Sequence, residues 1–433
     1  MLSRRHFLQT SSLAAGVTVA LPKPAQAAEF EQSQPPAIAA LQSRRAEAKP
    51  ITVEERTERQ EKARRLMADN NLSAILIAQG TSLAYFTGIH WEGGERLFAM
   101  VLPAKGDAFY VSPAFEEARA REQISKAPAG SQPDLRAWQE DENPYACVAE
   151  GLTDRGLASA TIGVEETVKF LFSDSLRKAA PSTTFTSATP VTAGCRRIKS
   201  PHEIDLMRLA AKVTLAAYEA TYRSIKVGMT QHDVEKMLED AHRKLGFEGG
   251  ADVQVGEYSS FPHGSVQPQK IQEGTIVMID GGCSVEGYQS DITRTFVLGK
   301  ASDKARNDKM KQVFDIVHRA QSAALAAAKP GVEAGSVDAA ARKVITDAGY
   351  GPDYKFFTHR LGHGIGMDEH EWPYLVRGNP TKLQADMTFS DEPGIYIHGE
   401  FGLRLEDDMH ITESGAELFT PQSPSLENPF AKE

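Results

Sequence analysis

The sequence predicts an α/β domain followed by an α+β domain, and three observations carry that expectation. Short β-branched and aromatic runs alternate with helical patterns from residue 51 to residue 195, as in layered α/β architectures. A proline-capped amphipathic helix then opens a second segment, 196–425, in which long helices come first and strands follow. Within it, two hairpin-like strand pairs carry carboxylates where a sheet normally places apolar side chains.

The chain has 433 residues, 41% of them hydrophobic and 24% charged, with a net charge of −10. That length suits two domains, and the acidic balance argues against a nucleic-acid partner. Ahead of the first domain, Ser-Arg-Arg-His-Phe-Leu from Ser3 precedes a mild apolar run from Leu13 and then Ala25-Gln26-Ala27. This pattern predicts a twin-arginine signal over 1–27, cleavage after Ala27 and export to the periplasm. The run is too short and too polar for a stable membrane span. Residues 28–50 are rich in Gln, Pro, Ala and charge without periodicity, and are expected to be a linker arm. Cys147, Cys195 and Cys283 lack metal-type spacing and predict no disulfide framework; Cys283 reads as a small buried residue.

The first domain starts where Thr52 and Glu55 form a capping box for a helix to about residue 70. ILIAQ, RLFAMVLP and AFYVSP follow as strands, and no cluster of chemical groups falls in this domain. Ser200-Pro201 with Glu203 opens the next helix, whose apolar face begins with Ile204, Met207, Leu209 and Ala211. Further helices are expected at 231–245, 307–328 and 336–348, with strands from Phe389 onward.

The chemistry lies in the hairpins. The midpoint between Asp280 and Asp291 falls inside Ser-Val-Glu-Gly, which ends at Gly287. A four-residue loop there sets the two acids opposite one another, about 5 Å apart at Cβ, where like charges repel unless a cation lies between them. The second hairpin repeats the logic: Glu392 and Glu406 are equidistant from Gly399, so a turn at His398-Gly399-Glu400 brings them face to face. Pro393 would sit at a bulge or kink beside Glu392. Between the hairpins, FFTHRLGHGIGMDEHEWP holds His359, His363 and His370 among Gly362, Gly364 and Gly366. The glycines lack dinucleotide-loop spacing and read as positions where backbone approaches a crowded site.

Carboxylates with an imidazole are a ligand set for divalent Mn, Fe, Co or Zn. On this reading Asp280 chelates one ion, His363 and Glu392 hold a second, and Asp291 and Glu406 bridge. A hydroxide between the ions is the expected nucleophile, because metal binding lowers the pKa of water toward about 7. His90, His202, His232, His242, His318 and His410 read as structural histidines and His398 as a turn residue.

Taken together, the motifs resemble the creatinase, prolidase and aminopeptidase P branch of the pita-bread metallopeptidases. Asp280 and Asp291, RLGHGIG around His363, SDEPGIY with Glu392 and GLRLED with Glu406 fill the metal positions of that branch. His263, His359, His370-Glu371, YFTGI and RRIKSPHEI extend the resemblance from about residue 51 to about residue 420. It implies a creatinase/prolidase-like α/β domain over 51–195 and an α+β pita-bread catalytic domain over 196–425. It further implies two divalent metal ions, typically manganese with cobalt, iron or zinc as alternatives, and often a homodimer. The implied reaction is hydrolysis of the Xaa-Pro bond at the N-terminus of a proline-containing peptide or dipeptide. Position by position, the resemblance implies that His263 and His370 contact the scissile amide and stabilise the tetrahedral intermediate. It likewise implies that His359 and Arg404 hold the substrate's proline end and that Glu392 shuttles a proton. The short connection from Glu392 to Glu406 is similar to that of compact prolidases and points to short substrates. A metal-dependent hydrolase or lyase of a small non-peptide substrate, and a non-catalytic binding homologue, remain open as alternatives on the same fold.

Overall fold

The computed structural model describes residues 34–128 and 133–430. The expected twin-arginine signal and its cleavage site lie outside these residues. No helix among the described residues is long and apolar enough to cross a membrane.

The chain enters through a short helix, α1 (Pro36–Ala39), and a longer one, α2 (Val53–Asp69). The capping box that opens α2 is reciprocal: the Glu55 amide donates to the Thr52 hydroxyl and the Thr52 amide to the Glu55 carboxylate. The part of the expected linker arm that is described, residues 34–50, is docked instead. Ile38 is fully buried in the second domain's core, the Arg44 amide donates to the Leu245 carbonyl at 2.8 Å, and Arg45 pairs with Glu286 at 2.8 Å. Ile38, with Ala37, Leu41 and Ala48 packed against the same core, follows no regular period, so the sequence does not announce the docking.

The N-terminal domain is a six-stranded mixed sheet in the order β4-β3-β2-β1-β5-β6. Its elements are β1 (Ala74–Ala78), α3 (Thr81–Thr87), β2 (Ala99–Pro103), β3 (Phe109–Pro113), α4 (Glu117–Ile124), β4 (Asp134–Trp138), α5 (Pro144–Asp154), β5 (Thr161–Val164), α6 (Phe170–Ala179), β6 (Thr184–Ser187) and α7 (Thr189–Arg196). Strand β1 shows why AILIA is continuously apolar. Ile75 and Ile77 enter one core, and Ala74, Leu76 and Ala78 enter another on the opposite face, so both pleats are covered.

The second domain begins with α8 (Pro201–Tyr222), capped by Ser200 and Glu203, and α9 (Gln231–Leu245). These helices cover a sheet formed by β7 (Glu248–Val255), β8 (Ile276–Val285), β9 (Tyr288–Gln289) and β10 (Ile292–Val297). A second pair, α10 (Lys304–Ala327) and α11 (Ala334–Asp347), covers a five-stranded sheet. That sheet contains β11 (Gly362–Gly364), β12 (Glu371–Leu375), β13 (Thr388–Asp391), β16 (Asp407–Ile411) and β17 (Ala416–Leu418). The ribbon β14 (Gly394–Ile397) and β15 (Phe401–Arg404) links β13 to β16. Every strand pair in this domain is antiparallel, giving the α+β pita-bread layout. The two helix-backed sheets meet where the Glu406 amide donates to the Thr293 carbonyl at 3.2 Å and the Asp291 amide to Asp408 Oδ2 at 3.0 Å.

Candidate metal centre

Strands β8 and β10 pair with Thr293, not Asp291, opposite Asp280. The expected four-residue loop is a two-residue one, since Val285 already pairs with Tyr288. Glu286 (φ +51°) and Gly287 (φ +86°) are both left-handed, as the tight turn that matches strand twist requires. The register therefore differs from expectation by two residues. Because side chains alternate with period two, such a shift keeps both acids on one face, and Asp280 and Asp291 converge as diagonal neighbours. In the second hairpin, Ile397 pairs with Phe401 and Gly394 with Arg404, leaving His398-Gly399-Glu400 as the loop. The same register carried two residues further sets Glu392 opposite Glu406. Pro393 lies in the break where the chain leaves the five-stranded sheet at Asp391 and joins the ribbon at Gly394.

His363 stands on β11 between two close approaches. A Cβ at Gly362 would lie 2.1 Å from the Ser390 carbonyl oxygen and one at Gly364 2.6 Å from that of Glu371, so only glycine lets β11 seat there. Three sets of donors come together: Asp291, His363 and His370; His363, Glu392 and Glu406; and Asp280, Asp291 and Glu406. His363 Nε2 is 3.4 Å from Glu392 Oε1 and 3.7 Å from Asp291 Oδ2. The His363 Nδ1 proton goes to the Gly364 carbonyl at 3.1 Å, which leaves the Nε2 lone pair free for a cation.

The electrostatics fit divalent ions. Burial, and then the neighbouring carboxylates, push Asp291 and Glu406 well above the usual carboxylate range. Glu392 is pushed up to about 8 by burial and by Asp280, against the pull of Arg404. Burial works on Asp280 too, but there the Arg404 guanidinium and the Thr293 hydroxyl prevail and hold it down. Burial and the nearby His370 push the His363 imidazole down to about 3. Acids that resist ionising together, beside an imidazole that stays neutral, form a donor set short of positive charge.

The remaining expected site residues fall around this cluster. His370 is exposed, and its ring centre lies 3.8 Å from that of His363 with the two planes tilted by 36°. Exposed His263 lies close enough that its charge, after burial and a nearby arginine, helps push His359 and His370 down. His359 is engaged at both nitrogens, Nε2 with the Tyr396 hydroxyl at 2.8 Å and Nδ1 with the Arg360 carbonyl at 2.7 Å. Arg404 is buried and committed internally, to Asp280, to Thr293 Oγ1 at 3.0 Å, to the Tyr396 hydroxyl at 2.8 Å and to the Pro262 carbonyl at 3.1 Å. Those contacts make it the partner that holds Asp280 charged.

A family signature described as metallopeptidase family M24 matches residues 205–413, and one described as the creatinase/prolidase N-terminal domain matches residues 59–198. The Xaa-Pro dipeptidase of Lactobacillus delbrueckii subsp. lactis is 31% identical over 84% of this chain and 97% of its own length. That of Pyrococcus furiosus is 32% identical over 84% of this chain and 97% of its own length. The chain belongs to metallopeptidase family M24. Among solved structures, dipeptidase PepE from Mycobacterium ulcerans superposes on the M24 chain with a TM-score of 0.80, at 33% identity over 88% of this chain and 100% of that one.

Sequence reasoning missed several M24-site residues that act through the ligands. Thr293 Oγ1 lies 2.6 Å from both Asp280 Oδ1 and Glu406 Oε2. Ser390 Oγ accepts from the His363 amide at 3.0 Å and donates to Glu392 Oε1 at 3.2 Å. A usable signal for Thr293 was its place two residues beyond Asp291, on the same pleat. Thr293→Val removes a hydroxyl that orients two ligands while keeping the shape, so metal affinity is expected to fall about tenfold. Manganese titration against a competing chelator reads this directly, and an unchanged affinity would contradict it.

Proposed function

We propose that this M24 metallopeptidase is a two-metal Xaa-Pro dipeptidase. One observation carries the reading: the three donor sets overlap, with Asp291, His363 and Glu406 each belonging to two of them, and of these the two carboxylates each have a second oxygen with which to bridge adjacent cations. Asp280 would complete one position, and His363 and Glu392 the other. Two divalent ions there, manganese in this reading, would bring the pKa of water toward about 7 and so supply a nucleophile at neutral pH. His263 and His370, on the exposed side of the cluster, donate to the oxyanion, a contribution of roughly 3–4 kcal/mol per donor in other hydrolases. Glu392 takes the proton of the attacking water and delivers it to the imide nitrogen, with Ser390 steadying its Oε1.

The acidic approach supports a substrate with a free amine. A cavity of about 650 Å³ opens beside Asp280, and Glu235, Glu239, Asp252, Asp368 and Glu369 line it, a field that attracts an N-terminal ammonium. Proline's imide has no N–H, so a site that asks no hydrogen bond of that nitrogen accepts it. The names of the two dipeptidase relatives support a short substrate. The Ser3-Arg4-Arg5 signal and Ala25-Gln26-Ala27 support action in the periplasm on imported or wall-derived peptides, and the family resemblance supports a homodimer.

A panel of Ala-Pro, Ala-Pro-Ala and Ala-Ala, run on mature protein reloaded with manganese, cobalt, iron or zinc after chelation, tests the proposal. The expected result is bound divalent ions in a ratio of two per chain, fastest turnover with manganese, and Ala-Pro preferred over both other peptides. Equal cleavage of Ala-Ala would end the proline specificity. Metal-loaded protein that cleaves none of the three would favour a small non-peptide substrate.

A further inference from the structure

The His370 ring has no hydrogen-bond partner among the described residues, so its place is set by the loop that carries it. That loop, 365–370 between β11 and β12, folds back on the carboxylate of Glu371. The Met367 and Asp368 amides donate to Glu371 Oε1 at 2.9 and 3.1 Å. Asp368 and Glu371 are gripped from the first domain and the connection behind it. Arg196, the last residue of α7, donates through Nη2 to Glu371 and, at 2.6 Å, to Asp368 Oδ2. Lys199, just beyond α7, donates to Glu371 Oε2 at 3.0 Å, and Thr81 at the start of α3 donates to Asp368 Oδ1 at 2.5 Å. Arg196, Lys199 and Glu371 are all buried. Two buried cations thus meet the buried Glu371 carboxylate, and one of them also reaches the part-exposed Asp368; the buried balance at Glu371 fails when one partner is lost. A planar guanidinium that spans two carboxylates also fixes direction, which the point charge of a lysine does less well.

We propose that Arg196 is a positioning residue through which the N-terminal domain holds His370 where its imidazole reaches the scissile bond. The inference rests on the reading above, in which His370 touches the substrate. It gives a domain with no catalytic cluster of its own a part in turnover, because a reacting group must be held to a fraction of an ångström by residues that are themselves locked.

Full-length protein carrying Arg196→Gln, Arg196→Lys, His370→Ala and the Arg196→Gln/His370→Ala pair tests this. With the ions loaded and Ala-Pro as substrate, Arg196→Gln is expected to lower kcat about ten- to hundredfold while KM moves less than about threefold. Arg196→Lys should recover part of the loss. In the His370→Ala background the Arg196 change should cost little more, since groups that act as a unit are not additive. An equal cost in both backgrounds overturns the proposal. A substrate-free reading comes from NMR of carbon-labelled histidines. The His370 resonance, identified by its absence in His370→Ala, should move in Arg196→Gln while that of distant His232 stays. If Arg196→Gln does not accumulate as folded protein, the Arg196→Lys spectrum gives the same reading. An unmoved His370 resonance overturns the proposal whatever the substrate, whereas a moved one in an enzyme that spares every Xaa-Pro peptide overturns the peptide reading alone.

Discussion

Replacing Asp291 with alanine is expected to empty the metal centre and to lower kcat more than about a thousandfold. Asp291 belongs to two of the three donor sets, so its loss removes a ligand from both cation positions at once. Elemental analysis of the purified variant should find well under the wild-type metal content. Turnover that survived the change would exclude a mechanism through bridged ions. The same side chain carries an opposite prediction for the metal-free protein. Burial and the neighbouring carboxylates raise Asp291 and Glu406, and take Glu392 to about 8. The folded apo state therefore binds protons that the unfolded chain, with carboxylates near pH 4, has released. The contribution of these three groups to its stability is fully present below about pH 4 and is lost as pH rises through about 8, the reverse of a salt-bridged acid. Asp291→Asn should flatten that slope and raise the apo Tm at pH 8, while abolishing the stabilisation that added manganese gives the wild type. An apo Tm that climbs with pH over this range would contradict the account.

What the sequence disclosed follows from what is local. Capping boxes at Thr52 and Ser200 depend on residues three apart, and both form where expected. Helix α9 occupies the expected 231–245 because an N-cap at Thr230 and a closing Gly246 bracket its amphipathic run. The helices expected at 307–328 and 336–348 appear as Lys304–Ala327 and Ala334–Asp347. The second hairpin's register was legible because a single glycine centres it. The first was misread by two residues because a glutamate, a residue that rarely adopts positive φ, sits left-handed at 286. Strand β7 escaped notice since Glu-Gly-Gly-Ala-Asp has neither alternation nor β-branched residues, and its pairing with β8 supplies the order. Arg404's hold on Asp280, and Arg196 altogether, were overlooked for one reason: an arginine's role depends on which acid meets it in space. Asp280 lies 124 positions from Arg404 and Glu371 lies 175 from Arg196, and nothing in a single sequence pairs them.

The largest stability effect is expected behind the metal centre, at Arg294. Its side chain is 1% exposed, and its guanidinium meets Asp407 Oδ1 at 2.7 Å and the carbonyls of Pro421, Glu406 and Thr293 at 2.8, 2.9 and 3.1 Å. Asp407 pairs across the strands with Asp391, whose carboxyl oxygens have no hydrogen-bond partner among the described residues and which burial, then Asp407, holds well above the usual carboxylate range. Arg294→Ala strips the cation from that buried pair of acids and is expected to cost about 3–5 kcal/mol in chemical denaturation. Arg294→Met with Asp407→Leu removes both charges and refills the volume, so much of the loss should return. Metal affinity should not return with it. Arg294 also ties down the backbone of Thr293 and Glu406, which carry a bridging hydroxyl and a candidate ligand, and an apolar pair restores packing without those hydrogen bonds. A double variant that regains stability and yet binds manganese more weakly would separate the two roles. One that regains both would show that the guanidinium serves the fold alone.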